Sequence, residues 1–185
     1  MIHDLLLVLW FFLPAGLANV TPILVAPLPG LRAWDAPLDG GHTFRGVRIL
    51  GTHKTWRGLL LGTLVAVFTL WWQQYAVAHY QWAHSIAEPL NYAAFPTVLM
   101  GVLFGVGALG GDALKSFFKR QFGIAPGRSW FPFDQLDHII GAVLLTLPFV
   151  RLSLRQYVLL VLAWLMIHLI SSYVGYVTHF KEQPL

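Results

Sequence analysis

Cysteine is absent from the 185 residues, and charged side chains make up only 11% of them. The first absence excludes a disulfide framework, a thiolate metal site and a cysteine nucleophile in any compartment. The second excludes an ordinary soluble domain, in which about a quarter of residues are charged. Lysine and arginine are also missing between His79 and Tyr92, where Glu88 is the one charged residue. What fills the chain instead is apolar: 57% of residues are hydrophobic and the mean hydropathy is +0.64. Eight tryptophans and six tyrosines suit anchoring at a membrane interface.

Five apolar stretches approach the roughly 20 residues that a spanning helix needs: Ile2 to Val25, Leu59 to Ala78, Ala93 to Gly111, Leu136 to Val150, which is short, and Tyr157 to Val177. The expected fold is an all-α integral membrane protein of about five transmembrane helices, one polytopic domain over residues 1–185. Basic residues collect in two connections. Arg32, Arg45, Arg48, Lys54 and Arg57 lie between the first two stretches, and Lys115, Lys119, Arg120 and Arg128 between the third and fourth. Positive loops stay in the cytoplasm, so the N-terminus is expected outside and the C-terminus, with Lys181, inside. Both basic loops, about 29–57 and 112–135, then face the cytoplasm and form the active site. A cleaved signal peptide fits less well, because the start carries no positive charge and apolar sequence resumes from Val20 to Leu28. Pro14 and Pro22 are expected to kink the first helix, leaving Asn19 to meet backbone groups so exposed or to join helices.

Gly101 and Gly105, then Gly107 and Gly111, stand one turn apart in the third helix and read as packing positions for close helix approach. Beyond Gly111 the character changes. On a continued helix Asp112, Ser116, Lys119 and Arg120 share one face, and Asp134 and Asp137 share another at the start of the fourth helix. A short loop with Gly123, Pro126 and Gly127 can fold the aspartates together. Ionised groups this near to spanning segments cost several kcal/mol each by the usual estimates and mark a functional site by default. Three carboxylates suit a hard cation such as Mg²⁺ held jointly with substrate phosphates, and the neighbouring lysines and arginine suit the phosphates themselves. The plain alternative is that Asp112 pairs with Lys115 or Lys119 while Asp134 caps its helix. It accounts for single residues better than for the set.

The first basic loop contributes four glycines before Lys54, which let backbone amides approach an anion, and ends in Lys54, Thr55 and Arg57 at the start of a helix. It is not a P-loop, since Gly51 lies three residues before Lys54. The bland reading, a positive-inside anchor, stands beside it. His138, beside Asp137, either tunes that carboxylate or packs at the interface, and packing is the reading preferred; His168, Ser171 and Ser172 read as makers of interhelical hydrogen bonds. Trp71, Trp72 and Trp82 are expected at the outer interface. A transporter or assembly subunit is the competing class, but its charges should lie at mid-bilayer rather than crowd helix ends.

The ordered set Asn19-x-x-Pro22, Gly51-x-x-Lys54-Thr55-Trp56-Arg57-Gly58, Gly111-Asp112-x-x-x-Ser116-Phe117-x-Lys119-Arg120 and Asp134-Gln135-Leu136-Asp137 resembles the CDP-archaeol synthase family, itself related to the CDP-diacylglycerol synthases. The resemblance covers nearly the whole chain. It implies a cytidylyltransferase that joins CMP from CTP to a membrane glycerol-phosphate lipid, releases pyrophosphate and uses Mg²⁺. By position it implies metal ligation by Asp112, Asp134 and Asp137, with these and Lys119 catalytic, and nucleotide or phosphate binding by Lys54, Thr55, Arg57, Ser116 and Arg120. Implied partners are CTP, the lipid and the bilayer, with no nucleic acid, and a homodimer stands as the alternative to a monomer. Lys115 occupies the place where the diacylglycerol enzymes commonly carry Glu, and their Lys-Asp and His-Gly-Gly elements are missing. Those departures favour the archaeol branch over a CDP-diacylglycerol synthase acting on phosphatidic acid.

Overall fold

A computed structural model describes residues 1–125 and 128–178, without the side chains of residues 29, 32 and 33. Pro126, Gly127, Lys181 and the Arg32 side chain, all used in the sequence reading, lie outside the described residues. Among the described residues six α-helices appear in order: α1 (Ile2–Val25), α2 (Trp56–His79), the short α3 (Gln81–Ala87), α4 (Thr97–Gln121), α5 (Phe133–Thr146) and α6 (Leu154–Val177). Four of them, α1, α2, α4 and α6, are long and apolar enough to cross a membrane. The fourth expected span is instead the 14-residue α5, only about 21 Å at 1.5 Å per residue against a hydrocarbon core of about 30 Å. The chain nevertheless passes between the two ends of the bundle in α5 and the residues after it. Asp134 opens α5 beside the end of α4, whereas Arg155, just into α6, meets Asp4 at the start of α1 at 2.6 Å. The all-α expectation needs one small correction, a two-residue hairpin of β1 (Thr43–Phe44) and β2 (Val47–Arg48) in the first basic loop.

Large apolar side chains face outward along the bundle, among them Leu64, Phe68, Leu144, Leu154 and Met166. This is the pattern expected where the surrounding medium is itself apolar, and far more apolar exposure than a soluble monomer tolerates. Inside, Phe11, Phe12 and Phe104 meet edge to face at 5.1 to 5.7 Å, the favoured geometry for aromatic quadrupoles.

α1 runs through both of its prolines. Each proline lacks the N–H that would bond the carbonyl four residues earlier, and the neighbouring helix α2 lies against both carbonyls, supplying a donor to the first. The Trp10 carbonyl, orphaned by Pro14, accepts from the fully buried Gln73 side-chain amide at 2.5 Å. The Ala18 carbonyl, orphaned by Pro22, is approached by Gly62, whose hypothetical Cβ would lie 2.8 Å from it. Gln73 on α2 thus does at the Trp10 carbonyl what one of the two readings of Asn19 expected of that residue. Within α6, Ser171 bonds the His168 carbonyl of its own helix at 2.9 Å, so its hydroxyl is used locally rather than between helices.

α4 is gripped on two faces through its glycines. A Cβ on Gly101 would lie 2.5 Å from Val67 Cα and one on Gly105 2.6 Å from Thr63 Cα, both in α2. On the other face, a Cβ on Gly107 would lie 2.7 Å from the Gly141 carbonyl oxygen and one on Gly111 2.2 Å from that of Asp137, both in α5. Gly141 returns the contact, its hypothetical Cβ 2.1 Å from the Gly107 carbonyl oxygen. Backbone touches backbone, so no rotamer change can make room for a side chain.

Gly141→Val should therefore force α4 and α5 apart. Overpacking of this kind costs about 1–3 kcal/mol or more, and the melting temperature in detergent is expected to fall by roughly 5 °C or more. Gly110→Ala, with nothing within 4 Å of its Cβ, is expected to leave the melt unchanged or raise it slightly, since alanine is the better helix former.

Candidate functional site

The two glycine faces of α4 set the charged residues. Gly111 lies against the Asp137 backbone, which brings the next residue, Asp112, to the start of α5, and the α2 contact brings the end of the first basic loop to the same place. Lys54 pairs with Asp112 Oδ2. Lys115, one turn on from Asp112, places its Nζ 3.0 Å from Asp112 Oδ1, 3.0 Å from Asp134 Oδ1 and 2.8 Å from Asp137 Oδ2. Lys119, buried, donates to both oxygens of Asp134 at 3.1 and 2.9 Å and to the Arg128 carbonyl at 2.5 Å. Three carboxylates and three ammonium groups thus alternate in one cluster.

The predicted residues divide. Asp112, Asp134, Asp137, Lys119 and Lys54 are brought together. Thr55 caps α2, its hydroxyl accepting from Gly58 N at 3.2 Å. Arg57 is buried and turned to the loop's own structure, pairing with Asp35 at 2.9 Å and donating to the Leu31 carbonyl at 3.1 Å. Ser116 donates to the Asp112 carbonyl one turn back at 2.8 Å. Arg120, partly buried on the last turn of α4, makes no ion pair among the described residues. Asp134 does not cap α5; its Oδ2 instead accepts from Trp130 N at 2.6 Å. His138 does more than pack edge-on against Trp164, since its Nδ1 lies 3.2 Å from Asp137 Oδ1. Lys115 was not singled out from the sequence as a site residue. The available signal was its position, i+3 from Asp112 on a helix where an uncompensated lysine would be costly.

The loop glycines also serve a different anion from the one foreseen. Asp39, its carboxylate fully buried, accepts from Gly41 N at 3.0 Å, Leu50 N at 3.0 Å and Gly51 N at 3.1 Å, and pairs with Arg48 at 3.1 Å. Burial pushes the Asp39 carboxyl up, but the bonds from Leu50, Arg48, Gly41 and Gly51 outweigh it and hold it well below the usual carboxylate range. A depressed carboxyl stabilises the folded loop fully above its unfolded value of about 3.9, and the contribution is lost only as the pH falls through the native value. The loop is therefore pinned throughout the neutral range. The tight turn at its tip uses left-handed backbone at Arg45 and Gly46, φ 53° and 77°, as a two-residue hairpin turn requires.

Beside the cluster, a groove of about 280 Å³ runs between α4 and α5. Leu114, Phe118, Trp130, Phe133, Ile140 and Leu144 line it, with Lys115 and Asp137 also in its wall. For a hard divalent cation, the three carboxylates offer the right donor chemistry around one point. Lys115 Nζ stands at that point, and among the described residues no group of three His, Cys, Asp or Glu side chains, this one included, is arranged as a ready-made metal site. The donor set fits such an ion once the ammonium has moved.

An apolar helical bundle with a charge-balanced carboxylate and lysine cluster at one end and an apolar groove beside it defines a membrane protein built to act on an amphipathic anion. A family model described as CarS-like, CDP-archaeol synthase, matches residues 1–185. Similar proteins named CDP-archaeol synthase include those of Thermococcus gammatolerans, 36% identical with 95% of this chain and 94% of that protein covered, and Methanococcus aeolicus, 33% identical with 93% and 92% covered. A solved structure described as an intramembrane enzyme for archaeal membrane lipids biosynthesis superposes with a TM-score of 0.70 at 28% identity, covering 88% of this chain and 90% of that one. The chain belongs to the CDP-archaeol synthase family.

Replacing Asp39 by Asn removes the charge that gathers the loop, at about 2 kcal/mol for bonds to an ionised group. Trypsin cleavage at Arg45 or Arg48 should then accelerate by roughly 25-fold through local opening, while the melt of the helical bundle stays within a few degrees.

Proposed function

We infer that this chain transfers CMP from CTP to a membrane glycerol-phosphate lipid of archaeol type, giving a CDP-lipid and pyrophosphate. Family membership carries the reaction. Within the molecule, the supporting observation is the meeting of three carboxylates with Lys54, Lys115 and Lys119 beside an apolar groove. A phosphate oxygen of the lipid attacks the α-phosphorus of CTP, the bond from that phosphorus to the bridging oxygen breaks, and pyrophosphate leaves. The lipid phosphate is already anionic at neutral pH, so no strong general base is needed. The barrier then falls through positioning and charge neutralisation. This explains a site rich in lysine and aspartate.

In this reading Lys54, Lys119 and Arg120 neutralise phosphate oxygens, Lys119 held in place by Asp134 and the Arg128 carbonyl. Thr55 and Arg57 serve the nucleotide by fixing the loop that carries Lys54, the first as helix cap and the second through Asp35. Ser116 keeps the polar face of α4 satisfied next to Asp112. A Mg²⁺ bound by Asp112, Asp134 and Asp137 would supply neutralising charge to the triphosphate. The lipid chains lie in the groove between α4 and α5, which places the acceptor phosphate at its polar wall, beside Lys115 and Asp137. The site end of the bundle faces the cytoplasm, where CTP is, on the strength of its basic residues; the N-terminus lies outside and α5 completes a five-pass topology.

Two measurements test this. Purified protein in detergent with Mg²⁺ and labelled CTP is expected to form a CDP-lipid from an unsaturated archaetidic-type phosphate in preference to phosphatidic acid. Asp112→Asn and Lys119→Met should each lower kcat/KM by about 100-fold or more, on the scale of lost oxyanion donors, with helical content retained. Wild-type turnover in Asp112→Asn would remove the cluster from the chemistry. For orientation, the cysteine-free chain admits single reporters: Ser85→Cys should react with an impermeant maleimide on intact cells, and Thr52→Cys only after permeabilisation. The opposite pattern would invert the topology.

A further inference from the structure

Lys115 stands where no ordinary surface lysine would. Its Nζ lies within 3.0 Å of an oxygen of each of Asp112, Asp134 and Asp137, and its side chain is 15% exposed. With Lys54 and Lys119 on the flanks, the cluster balances at three charges of each sign before any ligand arrives. Balance matters here, since each uncompensated ionised group near the hydrocarbon core costs several kcal/mol. Yet the lysine is loosely directed. It makes a hydrogen bond to Asp112 at 3.0 Å, but Asp137 Oδ2, at 2.8 Å, lies off the hydrogen-bonding direction and has no other donor although Asp137 is buried.

A divalent ion cannot share this point with the ammonium. Mg²⁺ takes oxygens at about 2.0–2.1 Å, whereas the carboxylates stand 2.8 to 3.0 Å from Nζ, so an ion seated there would draw them inward onto itself and expel the lysine. Expulsion leaves Lys115 beside the open groove between α4 and α5, whose wall it already forms, on a four-carbon stem long enough to turn into it.

We propose that Lys115 is the site's built-in counter-ion, occupying the place of a divalent metal in the free protein and yielding it only when the metal arrives with the nucleotide. The inference rests on the cytidylyltransferase reading and extends it to the order of binding. Free metal must displace a cation from three carboxylates for no gain in net charge balance. A metal accompanied by a triphosphate brings negative charge that the released ammonium can meet. The free protein is thereby kept folded without metal and indifferent to free ions, and the metal site is completed by substrate.

The test is Mn²⁺ binding to full-length protein in detergent, read from the loss of the free-ion electron paramagnetic resonance signal, for wild type, Lys115→Gln and Lys115→Arg. Without nucleotide, Lys115→Gln is expected to bind Mn²⁺ at least about tenfold more tightly than wild type, Lys115→Arg to bind as weakly as wild type, and added CTP to narrow the gap. Equal affinities for wild type and Lys115→Gln, or an Arg variant as tight as the Gln variant, would overturn the proposal. Should Lys115→Gln lose its helical circular dichroism, wild type alone decides: dissociation constants above about 0.1 mM, at the weak end for carboxylate sites, support the exchange and tighter ones refute it. CDP-lipid formation by the same wild-type preparation separates the two ideas. Its absence would overturn the proposed reaction while the ion exchange remains measurable, and its presence with equal Mn²⁺ affinities would overturn the exchange alone.

Discussion

Backbone contact across glycine is the constraint on which the arrangement depends. α4 carries two pairs of glycines, Gly101 with Gly105 and Gly107 with Gly111, and the second pair begins six residues after the first, about 240° around the helix. One pair therefore seats α2 and the other α5, each so closely that a single methyl group would collide with main-chain atoms. Because Lys54 precedes α2 and Asp134 and Asp137 open α5, these two seams deliver the charges of three separate segments to Asp112. In lipid, where burying apolar side chains gives little drive for helices to associate, this close packing is the available source of affinity and precision.

The same medium dictates how polar groups are handled elsewhere. A broken hydrogen bond inside an apolar bundle costs more than it would at a wet surface, and both prolines of α1 leave a carbonyl without its helical donor. Gln73 of α2 repairs one, and the close approach of Gly62 covers the other. The ionised residues obey the same accounting at larger scale. Asp39 gathers amides and Arg48 to keep the loop compact, and Asp112, Asp134 and Asp137 alternate with lysines. Satisfying these charges and gathering them beside an apolar groove are one structural problem with one solution.

Several features were open to direct reading. Length and hydropathy located α1 to the residue and the helices α2 and α6 within three residues, because a spanning helix must be apolar over its whole length whatever it packs against; α4 runs ten residues beyond its apolar stretch, to Gln121, carrying the polar face with it. The three aspartates stood out because ionised residues are scarce in such a chain. Other features could be seen only in the structure, for reasons equally physical. Glycines in the first loop suggested amides free for phosphate, but an amide's partner depends on which anion is nearer in space, and Asp39 is nearer for Gly41 and Gly51. Arg57 looked like a phosphate ligand from its neighbours in sequence, yet burial turns it to Asp35. The pairing of Lys115 with Asp112 was legible as one local alternative, but its place among all three carboxylates was not, because that is a distance to residues 19 and 22 positions away.

What the sequence by itself determined is therefore the apolar, all-helical membrane character, the family and the set of ionisable residues available for chemistry, since these follow from local composition and ordered motifs. Only the tertiary structure decided which cation sits among the carboxylates, which side of α4 carries the apolar groove, and which polar residues are spent on holding the scaffold. Those outcomes turn on contacts of a few ångströms between segments far apart in the chain, and the pattern along the chain carries no such distances.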